Sequence, residues 1–411
     1  MKDFHTMLKK YAELAVKTGV NLQKNQTLVI NSPIECVEFT RLIAECAYKT
    51  GAKNVHVEWS DEEIALIKYM NAPEESFNEF PKWRADGLEK LAKEGAAFLS
   101  ISASNPELLK NVDSKKIAAS NKARSLALKN YREYIMNSTV SWSVVSVPTK
   151  EWSKKVFPTL SEKEAIEKLW ESIFTIVRVD KNNPIDAWNE HLKNMSEKVN
   201  YLNNKKFKKL HFISKETDLT IELPEKHLWA GGGEYNAAGT YFVANMPTEE
   251  VFTLPLKTGV NGTVKSTKPL NYSGNLIDNF TLTFKNGKII DFSAEEGYET
   301  LKKLIETDDG SHYLGEVALV PHDSPISNSN IIFYNTLFDE NASCHLALGS
   351  AYPTCIDGGN EMNEEELKKA GANTSLTHVD FMVGSSDLNI FGETKEGEQT
   401  QIFQNGNWRI E

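Results

Sequence analysis

The sequence predicts an α/β protein in two parts: an N-terminal doubly wound, mostly parallel α/β domain, then a β-rich α+β domain. Three observations predict it. Through the first half, short apolar runs alternate with stretches of helical periodicity, the pattern of a parallel sheet with helices on its faces. In the second half the chain turns to short alternating strands separated by turns bearing glycine and asparagine. Between them lies Asn203-Asn204-Lys205-Lys206-Phe207-Lys208-Lys209, read as a solvated hinge. The expected domains are therefore 1–205, a scaffold, and 206–411, the part that carries the chemistry.

Taken in order, Phe4, Leu8, Tyr11 and Ala15, with Met7 and Leu14 beside them, recur at helical spacing to about Gly19. Leu28-Val29-Ile30-Asn31 is a short buried strand punctuated by Pro33, and 35–49 is a helix ending at Gly51. Val55–Trp59 alternates as a strand, and 61–70 returns to helix. Ala96–Ile101 is a further apolar strand, followed by a Lys/Arg-studded helix over 116–136 and a strand over Val140–Val145. Helices near 161–177 and 185–203 close this half. The first strand-to-helix turn, Asn31-Ser32-Pro33-Ile34-Glu35, has no glycine, so neither a GxGxxG fingerprint nor a P-loop is available. The half reads as scaffold, dimer surface or pocket wall.

In the second half, Gly231-Gly232-Gly233, Asn261-Gly262, Ser273-Gly274-Asn275 and Lys285-Asn286-Gly287-Lys288 are turn signals. The last, between Phe284 and Ile289, predicts a type I′ hairpin. Strands are expected at Leu210–Ile213, Leu219–Leu223 and Phe280–Phe284, and helices near 295–307 and 363–370. The three glycines at 231–233 suit either a flexible loop or a close approach of substrate main chain.

Composition bounds the function. A net charge of −11 speaks against a nucleic-acid partner, which calls for a basic patch. Hydrophobic content of 40% suffices for a sizeable core, and no apolar run approaches a membrane span. Cys36, Cys46, Cys344 and Cys355 show no framework spacing, which suits free thiols in a reducing compartment. Met1–His5 leads into an amphipathic helix rather than a signal peptide, so a cytoplasmic location is expected.

The chemistry concentrates between Glu316 and Asp380. His378-Val379-Asp380 sits in strand-like sequence, where residues i and i+2 share a face, so both side chains could reach one cation. His345, Glu316 and Glu340 are embedded in apolar or small-residue sequence, and buried charge needs a partner. Five candidates exceed the three protein ligands of one catalytic metal and suit two ions bridged by a carboxylate. The residues alone leave other readings open. Asp380 could merely fix a tautomer of His378, and either histidine could be a hydrogen-bonded structural residue. Cys344 reads as a small buried residue, with a thiol ligand or nucleophile as the alternative. Glu249-Glu250 reads as a solvated corner, and His312, His322 and Asp323 as structural.

Five pieces occur in order: Glu249-Glu250-Val251-Phe252-Thr253-Leu254-Pro255, Gly315-Glu316-Val317-Ala318, Glu340-Asn341-Ala342-Ser343-Cys344-His345-Leu346-Ala347, Ala351-Tyr352 and Thr377-His378-Val379-Asp380-Phe381-Met382. Together they resemble the thermophilic-type metalloaminopeptidases, peptidase family M29, over the whole chain. The resemblance implies a dinuclear site for Zn, Co or Mn held by Glu250, Glu316, His345, His378 and Asp380. It also implies Glu340 in or beside the metal shell, Tyr352 as the site tyrosine, and Glu316 or Glu340 handling protons. Short peptides with a free N-terminus are the implied substrates and a homodimer the implied assembly. Two rivals stand beside it: a non-haem Fe(II) oxygenase using His345, His378 and Asp380, and a non-catalytic peptide-binding scaffold with a structural metal.

Overall fold

The computed structural model describes residues 3–103, 105–272 and 275–410. Ser273 and Gly274 of the expected turn lie outside the described residues, as does Ser104. By contact the chain forms two units, Met1–Glu190 with Gly233–Pro247, and His191–Gly232 with Thr248–Glu411. They divide within the helix Pro184–Lys205, upstream of the Asn/Lys-rich segment. That segment is partly packed rather than solvated. Asn203 exchanges hydrogen bonds with the backbone of Trp229 (3.0 and 2.8 Å), and Phe207 is fully buried.

The first unit is built on a parallel sheet whose strands run Asn54–Ser60, Thr27–Pro33, Ala97–Ser102, Trp142–Ser146 in spatial order. Leu28 stands between Val55 and Ala97, and Phe98 opposite Trp142. Leu28, Val29 and Ile30 are fully buried, as a strand covered on both faces requires. The order, with the first strand central, is doubly wound. Tyr11, on the first helix, donates its hydroxyl to Ser146 O and accepts from Ser146 N–H, joining helix to sheet inside the core.

Three helical features depart from the sequence reading. The expected helix over 116–136 is two, Ser114–Ala127 and Lys129–Met136, broken where Leu128 turns into the core. Helices at Lys82–Lys93 and Lys150–Val156 were not expected. Each buries only two or three residues, too few to give a clear periodic stripe.

The second unit holds two antiparallel sheets. The larger has nine strands and includes Lys209–Ile213, Asp218–Glu222, Val260–Lys265 and the hairpin Asn275–Lys285/Lys288–Glu296. At the hairpin tip Asn286 and Gly287 both have positive φ, as a type I′ turn demands. The smaller sheet runs His378–Met382, His345–Gly349, Leu314–Leu319, Val251–Thr253, Ala230–Gly231. Between the sheets lies one core of apolar side chains, among them Phe212, Leu219, Val264 and Leu282 from the larger sheet. Val251, Val317, Leu346, Leu348 and Phe381 enter it from the smaller one.

Register decides what the other face of the small sheet carries. Glu316 pairs with Ala347 and Ala347 with Asp380; Ala318 pairs with His345, Phe252 with Ala318, and Gly349 with His378. Since alternate residues share a face, Glu316, His345, His378 and Asp380 all leave the sheet opposite the core. The alanines and glycine between them keep that face low. A register shift between Leu314 and Glu316 completes the arrangement. Leu314 pairs with Leu348 and faces the core, whereas Glu316, two residues on, faces the other way. The bulge at Gly315 makes this reversal possible, and a Cβ there would collide with the carbonyl oxygens of Gly349 and Ser350. Gly315→Ala is therefore expected to lower the unfolding free energy by about 1–3 kcal/mol, measured by urea denaturation; an unchanged midpoint would refute the close approach.

Candidate metal centre

The bulged Glu316 strand, the His345 strand and the His378 strand bring two groups of ligating atoms together. Glu250, Glu316 and His345 form one group, and Glu316, His378 and Asp380 the other, each within 4.8 Å. Glu316 belongs to both through different oxygens. Its Oε1 lies 3.4 Å from His345 Nε2 and its Oε2 lies 3.5 Å from His378 Nε2. Glu250 Oε2 stands 3.1 Å from His345 Nε2, and Asp380 Oδ1 stands 3.5 Å from His378 Nε2. Glu316 and His345 are buried, at 4% and 1% exposure.

Both imidazoles are held from behind. His378 Nδ1 donates to the carbonyl of Ser350 at 2.7 Å, and His345 Nδ1 lies 3.2 Å from the carbonyl of Ser343. A hydrogen bond at Nδ1 leaves Nε2 as the ligating nitrogen, aimed among the carboxylates. The strand carrying His378 is tied down at its start by Asp308, which accepts from Leu376 N–H (2.6 Å) and Ser375 Oγ (2.8 Å).

Negative charge exceeds positive here. Burial raises the Glu250 carboxyl, and the hydrogen bond from His345 does not offset it. Burial also lifts Glu340 well above the usual range, with the charges of Glu250 and Asp380 adding to the rise. Glu316 goes the other way: burial raises it, but the imidazoles of His345 and His378 beside it outweigh that and hold it at about 2. Burial disfavours charge on the imidazoles, yet the acids around them win. His345 is held well above its ordinary value, and His378 is pushed up to about 11. Among the described residues no lysine or arginine pairs with these carboxylates. Asp380 Oδ1 is buried without a hydrogen-bond partner. An oxygen left so is costly, and divalent cations would satisfy it and the surplus acids together. The donor set, imidazole nitrogen with carboxylate oxygen, suits Zn, Co or Mn.

The remaining sequence candidates fall into place around this cluster. Glu340 opens the short turn Glu340–Ala342 and belongs to neither ligating group, though its charge is felt by both. Tyr352 sets its ring tilted against that of His378, 4.8 Å between centroids, and edge-on to that of Phe252 at 6.0 Å. Burial, and then the charge of Glu316, keep its phenol protonated. Cys344 faces the core and exchanges hydrogen bonds with the backbone of Val320, its thiol pushed by burial to about 12, so it is a structural thiol. All four cysteines are free. Glu249-Glu250 is not a solvated corner, since Glu249 is 6% exposed and Glu250 enters the cluster. Gly231 approaches the protein's own main chain: a Cβ there would stand 2.5 Å from Glu250 O. Asn341, His191, Asp308 and the carbonyl of Ser350 support the site without any signal in the sequence, because hydrogen bonding to backbone leaves no residue-type pattern.

A model of the family described as Thermophilic metalloprotease (M29) matches residues 4–408. The chain is 58% identical to aminopeptidase AmpS of Bacillus subtilis (strain 168), over 99% of this chain and 100% of that protein. It is 40% identical to aminopeptidase T of Thermus thermophilus, over 100% of both. The solved structure of wild-type AmpT from Thermus thermophilus superimposes with a TM-score of 0.93, at 40% identity, covering 99% of this chain and 100% of that one. The chain belongs to the M29 metalloprotease family.

A ligating imidazole must give up its proton, so cation binding here must release protons. Raising the pH strips those protons and strengthens binding; lowering it restores them and weakens binding. Zinc titrations of metal-stripped protein between about pH 6 and 8, in buffers of different ionisation enthalpy, should show both effects. Affinity independent of pH, without proton release, would remove the histidines from the shell.

Proposed function

We propose that the protein is a dinuclear metalloaminopeptidase, a hydrolase that removes N-terminal residues from short peptides. One observation carries the reading: Glu316 presents its two oxygens to two different imidazoles, the disposition of a carboxylate shared by two cations. Membership of a metalloprotease family whose relatives are named aminopeptidases supports the peptide substrate and replaces the oxygenase and scaffold readings.

In this reading Glu250, Glu316 and His345 would hold one divalent ion, and Glu316, His378 and Asp380 would hold the other. Zn, Co and Mn all suit these donors. When bound, such a pair supplies Lewis-acid polarisation of a carbonyl and a water of lowered pKa. The protein's own groups do the rest. The surplus of carboxylates attracts and orients the substrate's free α-ammonium, which an N-blocked peptide lacks. Glu340 adds a carboxyl to the shell, and it stands as the group that takes a proton from water and returns it to the leaving amine, since Glu316 is engaged on both sides. Tyr352, kept as a phenol, donates a hydrogen bond to the oxygen that gains charge as the carbonyl is attacked. The α/β unit, Met1–Glu190 with Gly233–Pro247, serves as scaffold, and the unit His191–Gly232 with Thr248–Glu411 as the catalytic part. Among the described residues no helix is long and apolar enough to cross a membrane. A cytoplasmic homodimer without nucleic-acid partner completes the proposal.

The test is hydrolysis of aminoacyl-p-nitroanilides by chelator-stripped protein, with Zn, Co or Mn restored and an N-acetylated substrate as control. Cleavage of free-amine substrates alone, returning with metal, is expected. Glu316→Gln and His378→Ala should abolish turnover and lose bound metal, whereas Tyr352→Phe should lower kcat by about 10²–10³-fold with metal retained. Unchanged turnover and metal content in Glu316→Gln or His378→Ala would sink the proposal.

A further inference from the structure

Resting on the dinuclear reading above, we infer that Asn341 is a positioning residue that fixes Glu250, and with it the Glu250/Glu316/His345 half of the centre. Four of the five proposed ligands, Glu316, His345, His378 and Asp380, lie within paired strands. Glu250 does not. It precedes the three-residue strand Val251–Thr253, so ladder bonds do not set its place.

The segment from Thr248 to Glu250 is held instead by side chains reaching its backbone. His191 Nε2 lies 2.8 Å from the carbonyl of Thr248. The N–H of Glu249 donates to Asn341 Oδ1 at 2.7 Å, and Asn341 Nδ2 donates to the carbonyl of Leu337 at 3.2 Å. An N–H needs the amide's oxygen and a carbonyl needs its NH₂, so the two partners together fix the amide's orientation. Asn341 is fully buried, so water cannot take over either bond.

Asn341 follows Glu340 directly, and Glu249 precedes Glu250 directly. One amide therefore clamps the segment carrying an off-strand ligand to the turn carrying the remaining acid. The other half of the centre has no such dependence: Glu316, His378 and Asp380 are on strands, and His378 is oriented by Ser350. Loss of Asn341 should accordingly be felt at one cation and not the other.

The experiment compares wild type with Asn341→Leu, which removes both bonds at nearly constant volume, and with Asn341→Asp, which keeps the oxygen facing Glu249 N–H. Cobalt or zinc is titrated into stripped protein, with stoichiometry read by elemental analysis and the cobalt d–d spectrum. Asn341→Leu is expected to weaken one ion about 10–100-fold and leave the other at wild-type affinity. Its kcat should recover on adding excess metal, which a merely structural defect would not allow, and Asn341→Asp should retain both ions. If Asn341→Leu does not fold by circular dichroism, Asn341→Ser, too short to reach Glu249, takes its place. Two ions held at wild-type affinity by the Leu or Ser variant would overturn the inference, as would equal weakening of both, or loss in Asn341→Asp matching that in Asn341→Leu. Wild type that binds no ion pair, or cleaves no free-amine substrate, would instead sink the reading on which the inference rests.

Discussion

A carboxylate buried between two imidazoles governs this structure. Glu316 is 4% exposed, and the imidazoles of His345 and His378, 3.4 and 3.5 Å away, outweigh its burial and hold it ionised there. Every constraint on the small sheet follows from keeping those three side chains within a few ångströms. The strands must be antiparallel in the observed register, the residues between the charged ones must be small, and the opposite face must be wholly apolar. Ala318, Ala347 and Gly349 meet the second condition, and Val317, Leu346 and Leu348 the third.

The bulge at Gly315 shows how local strand geometry serves the site. Without it, the parity of the strand would put Leu314 and Glu316 on one face, and either the core or the cluster would lose a member. Reversal costs one unpaired residue and requires glycine, since the carbonyls of Gly349 and Ser350 occupy the place of a side chain. Backbone carbonyls recur as the site's outer support. Ser350 and Ser343 receive the Nδ1 atoms of the two histidines, so ring orientation is set by the fold rather than by other side chains.

The acids and imidazoles of the cluster come from two kinds of segment. Ladder pairing fixes Glu316, His345, His378 and Asp380, while Glu250 and Glu340 come from short connecting segments. Those two acids are also the ones whose carboxyls stand above their ordinary range, because there burial outweighs the neighbouring imidazole. Tyr352, packed against His378 and Phe252, closes the cluster with a phenol that stays protonated among acids.

The sequence by itself determined the alternation of strands and helices in the first unit, the Asn286-Gly287 hairpin, and the pairing of His378 with Asp380. Each rests on short-range periodicity or turn chemistry, which a few neighbouring residues carry. The family resemblance added Glu250 and Tyr352, whose local sequence reads as an ordinary corner and loop. Tertiary structure alone decided the rest. That Glu316 faces both histidines depends on a bulge and on pairing between strands about thirty residues apart in sequence, to which local patterns are blind. That Cys344 faces the core while His345 faces the acids follows from one step of strand parity. The amide of Asn341, the ring of His191 and the carbonyl of Ser350 act through backbone hydrogen bonds formed only after the segments meet. Their residue types announce nothing, because any buried N–H or carbonyl must find a partner and the chain supplies many that could serve.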